Sequence, residues 1–271
     1  MGLRLRQVAP QRGSFWLRSA LATFFRQPLG YCVLFLAYLL LFSVIGWIPL
    51  LGAPLSLATL PLLSLAFMLA TRDALAGQRV RLKHLFALRN EPPAARRAML
   101  LLCIGFGLLV TLIVELAAWA GGQELVEALK PLSATNRSAQ DFMTALTHPA
   151  VTRFSHTILV LSALLSVPYW HALALVHWGG QSAAQALFSS TLALWRAKGA
   201  FLLFGLGWLG CVAIGSLLGG LVVGMLSALL GSAAIVMAFA ALLVTALSAA
   251  FYVSLWFMFE DSFEIDAPPA A

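Results

Sequence analysis

Between Leu29 and Thr71 no residue carries a formal charge. That run of 43 residues is too long for one buried soluble helix and long enough for two membrane spans of about 20 residues each. Pro49, Gly52 and Pro54 supply a turn near its middle, so the run reads as an antiparallel hairpin. Backbone polar groups in hydrocarbon must be satisfied within the segment, which favours helices. The blocks lack the alternating pattern of a membrane β-barrel.

The same reasoning extends along the chain, of which 61% is hydrophobic and only 10% charged. It predicts an all-α polytopic membrane protein with six transmembrane helices as three hairpins, each preceded by a short amphipathic cytoplasmic helix. The expected layout is a basic N-terminal arm at 1–12 and a single transmembrane domain at 13–259. Its spans lie at about 29–48, 55–72, 98–119, 154–178, 200–230 and 233–259, with a periplasmic segment at 120–153. Residues 260–271 form an acidic tail that is expected to end in disorder. Pro61 and Pro168 fall inside spans and should kink them.

Fourteen of the seventeen Lys and Arg residues fall in the N-terminal region, the 72–97 joint and the 179–198 joint. The positive-inside rule then puts both termini and all three joints in the cytoplasm. This distribution also explains the net charge of +7 without nucleic acid, for which no recognition motif is present. The first 28 residues are too polar for a cleaved signal sequence, so the first span is expected to be retained.

Residues 14–27 read as an amphipathic helix with Leu17, Leu21, Phe24 and Phe25 on one face, suited to the headgroup layer. Short local matches suggest an internal repeat. Phe25-Arg26 aligns with Arg96-Arg97 and with Trp195-Arg196, and GQRVRLKHLF at 77–86 with GQSAAQALF at 180–188.

Catalytic signatures are missing: no Walker loop, nucleophile elbow, HExxH or paired carboxylates occur. No catalytic residue, cofactor or metal ligand is assigned. Cys32, Cys103 and Cys211 sit in apolar blocks without metal-ligand spacing and read as apolar filling. Candidate intramembrane polar residues are Glu115, His156 and His171. Ionisable groups in spans mark functional sites by default. Glu115 and His156 fall at one level, where they either pair, meet interfacial water, or serve a proton or ligand. His171 follows Pro168 and is expected to bond another span. His177 beside Trp178 reads as interfacial.

Gly207, Gly215 and Gly219, with Gly220 and Gly224, give small-residue spacing on span 5. Such spacing permits close helix packing, within the fold against span 6 or across a homodimer. Arg79, Arg81, Lys83, Arg96 and Arg97 are either topogenic charge or contacts to anionic lipid headgroups.

FWLRSALATFFRQPLGYCVLFLAY, LPLLSLAFMLATRDALAGQ, PYWHALALVHWGG and LALWRAKGAFLLFG together resemble a family of six-span inner-membrane proteins of proteobacteria. The resemblance covers about 14–258. It implies a helical fold in a bacterial inner membrane and brings no activity or ligand with it. More loosely, the helix-plus-hairpin units are similar to the membrane portion of some glycerophosphodiester phosphodiesterases, whose soluble catalytic domain has no counterpart here. The expectation is a non-enzymatic scaffold or assembly protein with the bilayer, and a membrane-protein partner, as its surroundings. The alternatives are a small permease with a path near spans 2 and 4, and a lipid-binding or lipid-acting protein.

Overall fold

The computed structural model describes residues 3–133, 139–230 and 233–265. Six helical segments are long and apolar enough to cross a membrane. They come as three hairpins. The first pairs α2 (Pro28–Gly46) with α3 and α4 (Gly52–Ala58, Leu60–Leu75). The second pairs α5 (Pro93–Leu129) with α7 and α8 (Pro149–Tyr169, Ala172–Gly179). Between them lies α6 (Ala139–Thr147). The third pairs α10 (Lys198–Leu230) with α11 (Ala233–Ser262). The turn expected at Gly231-Ser232 lies outside the described residues.

A short helix precedes each hairpin: α1 (Arg12–Arg26), a 3-10 linker helix (Leu82–Asn90) and α9 (Ala183–Arg196). The middle one differs from the others in helix type and in length, at nine residues. Local chemistry explains the boundaries. Gly180, at φ 61°, closes α8 in the left-handed conformation, and its N–H reaches the carbonyls of Leu175 and Val176. Ser182 and Gln185 then form a capping box that starts α9. Gly122, at φ 54°, breaks the path of α5.

The short helices make their main contacts away from the hairpins that follow them. The linker helix lies on α4, and α9 lies on α7 and α8. Helix α1 lies on α10 and α11, at the other end of the sequence. Each therefore packs on the second span of the preceding hairpin, and the order closes cyclically.

Helix α1 consequently packs one face into the bundle. Trp16 and Ala20 are fully buried, whereas Phe25, placed by periodicity on the apolar face, is 70% exposed. The buried face is rotated to Gly13, Trp16, Ala20, Thr23 and Phe24. The Trp16 ring meets Phe201 and Phe204 of α10 edge-on, with centroids 5.2 and 6.3 Å away. Gly13 lets α1 lie directly against the backbone of Ala200 and Phe204. Residues 260–265 and the start of the N-terminal arm also belong to the fold. Leu3–Leu5 (β1) pairs antiparallel with Phe263–Ile265 (β2), with Arg4 opposite Glu264. The remaining tail residues, 266–271, lie outside the described part.

The main core lies at this end of the molecule. Trp16, Tyr31, Phe67, Leu175, Met258 and Phe259 are among its fully buried members. A separate small cluster of Leu125, Ala150 and Val151 joins α5 to α7 at the opposite end. Helix α11 packs on α1, α2, α4 and α10, so the last span is the central post of the bundle.

Candidate functional site

Polar chemistry concentrates at the end that carries the arginine-rich joints. Between α4, the linker helix and α8 lies a cleft of about 430 Å³. Asp73, Lys83, His84, Asn90, Glu91 and His177 line it. Two imidazole–carboxylate pairs build it. His84 Nε2 meets Asp73 Oδ2 at 2.9 Å while His84 Nδ1 contacts the Arg81 carbonyl at 2.7 Å. With the second nitrogen facing a carbonyl, the ring is oriented at both ends. His177 Nδ1 pairs with Glu91 Oε1. Lys83 Nζ stands 3.6 Å from Asp73 Oδ2.

His84 and Glu91 are buried, and buried polar groups are costly unless paired. These contacts satisfy that requirement, and they pin the linker helix to α4 on one side and to α8 on the other. Sequence reading placed His177 at the interface and left Asp73, His84 and Glu91 without a role. The available signal was that Asp73 and Glu91 are the two carboxylates in a joint otherwise crowded with cations.

A second polar lock ties the chain ends. Asp261 accepts from Arg12 Nε and Nη2 and from Trp16 Nε1, all at 2.6 Å. The hydrogen bond to Asp261 raises the Arg12 pKa above its ordinary value, so the guanidinium stays charged throughout the neutral range.

A third involves the kink at Pro168. Ser190 Oγ, from α9, donates to the Val167 carbonyl and accepts from the His171 N–H, each at 3.1 Å. The α-helical bond from His171 to Val167 is thus replaced by an inserted hydroxyl, which separates α7 from α8. The carbonyl taken up here belongs to Val167.

His171 makes no side-chain bond to another span, contrary to expectation. Its ring is 1% exposed. Both of its nitrogens lack partners, and Phe201, Phe259 and Phe263 surround it with centroids 5.7 to 6.3 Å away. Glu115 and His156 are both exposed on their helices, and no hydrogen bond or ion pair joins them among the described contacts. Equal height along two helices is not sufficient, because rotation about each axis decides which side chains face each other. The ion pair between these helices is instead Arg153 with Glu124, at 2.6 Å.

The span 5 glycines separate into two groups. A Cβ at Gly215 or Gly219 would meet Leu247 or Leu243 of α11, and one at Gly207 would meet Leu17 of α1 rather than span 6. A Cβ at Gly220 or Gly224 would meet open space among the described residues. Among the basic candidates, Arg79, Arg81 and Arg97 are exposed. Lys83 faces Asp73, and Arg96 Nη2 donates to the carbonyls of Arg89 and Glu91 at 3.0 Å.

Within the spans lies a cavity of about 180 Å³, lined by Pro61, Ser64, Phe106, Ser166, Tyr169 and Tyr252 among others. No charged side chain lines it, and neither Pro168 nor His171 reaches it. Among the described residues no group of three or more His, Cys, Asp or Glu side chains forms a metal-binding cluster. Cys32 and Cys103 are buried free thiols in the main core.

Comparison with known proteins finds no matching family model and no matching solved structure. The chain is 29% identical, over 272 aligned residues, to a protein of Burkholderia thailandensis named as a probable inner membrane protein. The alignment covers 99% of this chain and 97% of that protein. None of these findings matches the looser resemblance to glycerophosphodiester phosphodiesterase membrane portions. The six apolar spans and this relationship support a multi-pass integral protein of the inner membrane.

Proposed function

We propose that this protein is a non-enzymatic scaffold or assembly factor of the inner membrane, with both termini and the three short helices in the cytoplasm. One observation carries the reading. Charged side chains gather at the basic end and tie elements of the fold to one another, while the interior of the spans is filled by apolar and aromatic groups. A carrier of polar solutes needs polar groups along its path; a scaffold needs a rigid body with free faces. Helix α10 supplies such a face, with Leu209, Leu217, Leu221 and Met225 each at least 60% exposed and Gly220 and Gly224 open beside them. Small residues on an uncovered span let a partner helix approach closely.

The test is affinity purification from native membranes in mild detergent, with quantification of co-purifying proteins. Stoichiometric membrane-protein partners are expected. A protein that emerges alone and monomeric removes the reading's support. Reporter fusions at the two termini check the orientation, and a periplasmic signal from either end contradicts it.

The cavity beside Pro61 favours a second reading, a small permease for an apolar or weakly polar solute. Filling it with Ser64→Leu should abolish uptake if transport is the activity and should leave partner binding intact if scaffolding is.

A further inference from the structure

The linker helix has two sides. One faces the polar cleft that holds Asp73 and Glu91. The other forms a groove of about 350 Å³, lined by Leu62, Leu85, Phe86, Leu88, Arg89 and Arg96. Its composition is divided: four apolar side chains form the walls, and two arginines stand with no carboxylate among the lining residues. Leu62 belongs to the second membrane span, so one wall of the groove continues into hydrocarbon. Leu85 and Leu88 rest on the main core, while Phe86 is exposed at the rim.

The arginines are not used up by the fold. The Arg89 side chain has no hydrogen-bond or ionic partner among the described contacts, and its residue is exposed. Arg96 is held by Nη2 alone, which donates to the carbonyls of Arg89 and Glu91. A guanidinium has five N–H donors in a fixed fork. The Nε and Nη1 donors of Arg96 therefore remain for a ligand, on a group whose position is already fixed. Planar guanidinium donors match phosphate oxygens in pairs. Both nearby carboxylates line the cleft on the far side of the linker helix, Asp73 against His84 and Glu91 against His177, so neither stands in the groove as a partner for the two arginines.

We propose that this groove seats an anionic phospholipid from the leaflet on the basic side. Its phosphate lies between Arg89 and Arg96, and an acyl chain runs past Leu85 and Leu88 toward Leu62. The inference is independent of the scaffold reading. It separates two arginines that recognise a lipid from the exposed Arg79, Arg81 and Arg97, which contribute general surface charge.

Native mass spectrometry of the purified full-length protein tests it. The probes are phosphatidylglycerol and phosphatidylcholine with identical acyl chains. Each basic contact near a membrane surface contributes about 1 kcal/mol, or about fivefold in affinity. Phosphatidylglycerol should be retained at least about fivefold better than phosphatidylcholine. Arg89→Gln should remove about fivefold of that preference, Arg89→Lys, which keeps the charge and loses the paired donors, should retain only part of it, and Arg79→Gln should leave it unchanged. Thermal unfolding checks that each variant is folded. Because the Arg89 side chain has no bonding partner among the described residues, its variants should melt with the wild type. Equal retention of the two lipids overturns the proposal, as does an Arg79→Gln effect equal to that of Arg89→Gln. Displacement of the lipid by soluble glycerol phosphate at equal concentration also overturns it, since that outcome describes an anion site with no role for the groove.

Discussion

Arg12 and Asp261, 249 residues apart, form a two-point ion pair that joins the first helix to the last. Trp16 adds a third donor to the same carboxylate. Hydrogen bonds to charged groups contribute about 1.5–3 kcal/mol each when their partners are partly buried. Asp261→Ala removes all three and leaves the indole N–H without an acceptor. It should lower the unfolding free energy by about 2–4 kcal/mol, measured by unfolding in mixed micelles. Trp16→Phe, which keeps the ring packing, should cost about 1 kcal/mol. Wild-type stability of Asp261→Ala would show that the lock contributes nothing.

Ser190→Ala should destabilise the Pro168 kink. Without the hydroxyl, the Val167 carbonyl and the His171 N–H lose their shared partner. The two groups lie in a buried part of the helix pair, so the expected cost is about 2–3 kcal/mol. Ser190→Thr keeps the hydroxyl and should retain more stability than Ala, despite the added methyl group. The reverse order would indicate that Ser190 acts there only by its small size.

The glycines make a paired test. Gly13→Ala and Gly107→Ala place a Cβ against backbone atoms, of Ala200 in the first case and Pro54 in the second. Neither neighbour is a flexible side-chain tip, so each variant should lose several kcal/mol or fail to accumulate, as overpacking does. Gly220→Ala and Gly224→Ala meet open space and should improve helix propensity by up to about 1 kcal/mol. Expression with a fluorescent fusion and size-exclusion profiles will rank the four.

Glu115→Gln and His156→Ala should each leave the unfolding midpoint within experimental error, since neither side chain has a partner among the described residues. The double variant should equal the sum of the singles, because groups that do not touch are additive. Non-additivity above about 0.5 kcal/mol would indicate a coupling that these contacts lack.

The six spans and the joint after α8 were legible in the sequence. Long apolar runs with few charges marked the former, whereas the left-handed Gly180 and the capping box of Ser182 and Gln185 that shape the latter were local signals left unused. Pro168 marked a kink, but nothing near it named Ser190, which arrives from another helix. Periodicity found that α1 is amphipathic and placed Leu17, Leu21 and Phe24 on its apolar face, and these residues do meet the core. It weighed Phe25 by hydrophobicity, whereas close packing on α10 favoured Gly13 and Ala20. The two imidazole–carboxylate pairs were hidden for a related reason: Glu91 and His177 are 86 residues apart, and only the tertiary path of α8 brings them together. Local rules locate elements; partners across the bundle depend on how each helix is rotated.

The cyclic packing of the short helices has a consequence for biosynthesis. Helix α1 is among the first segments to leave the ribosome, and the surface that receives it, on α10 and α11, is among the last. Until that final hairpin is inserted, Trp16 has no Phe201 or Phe204 to pack against and no Asp261 to bond. A chain that stops short therefore displays an unseated amphipathic helix with a bare indole, and a finished chain does not. The seat of α1 thus exists only once the hairpin of α10 and α11 is in place.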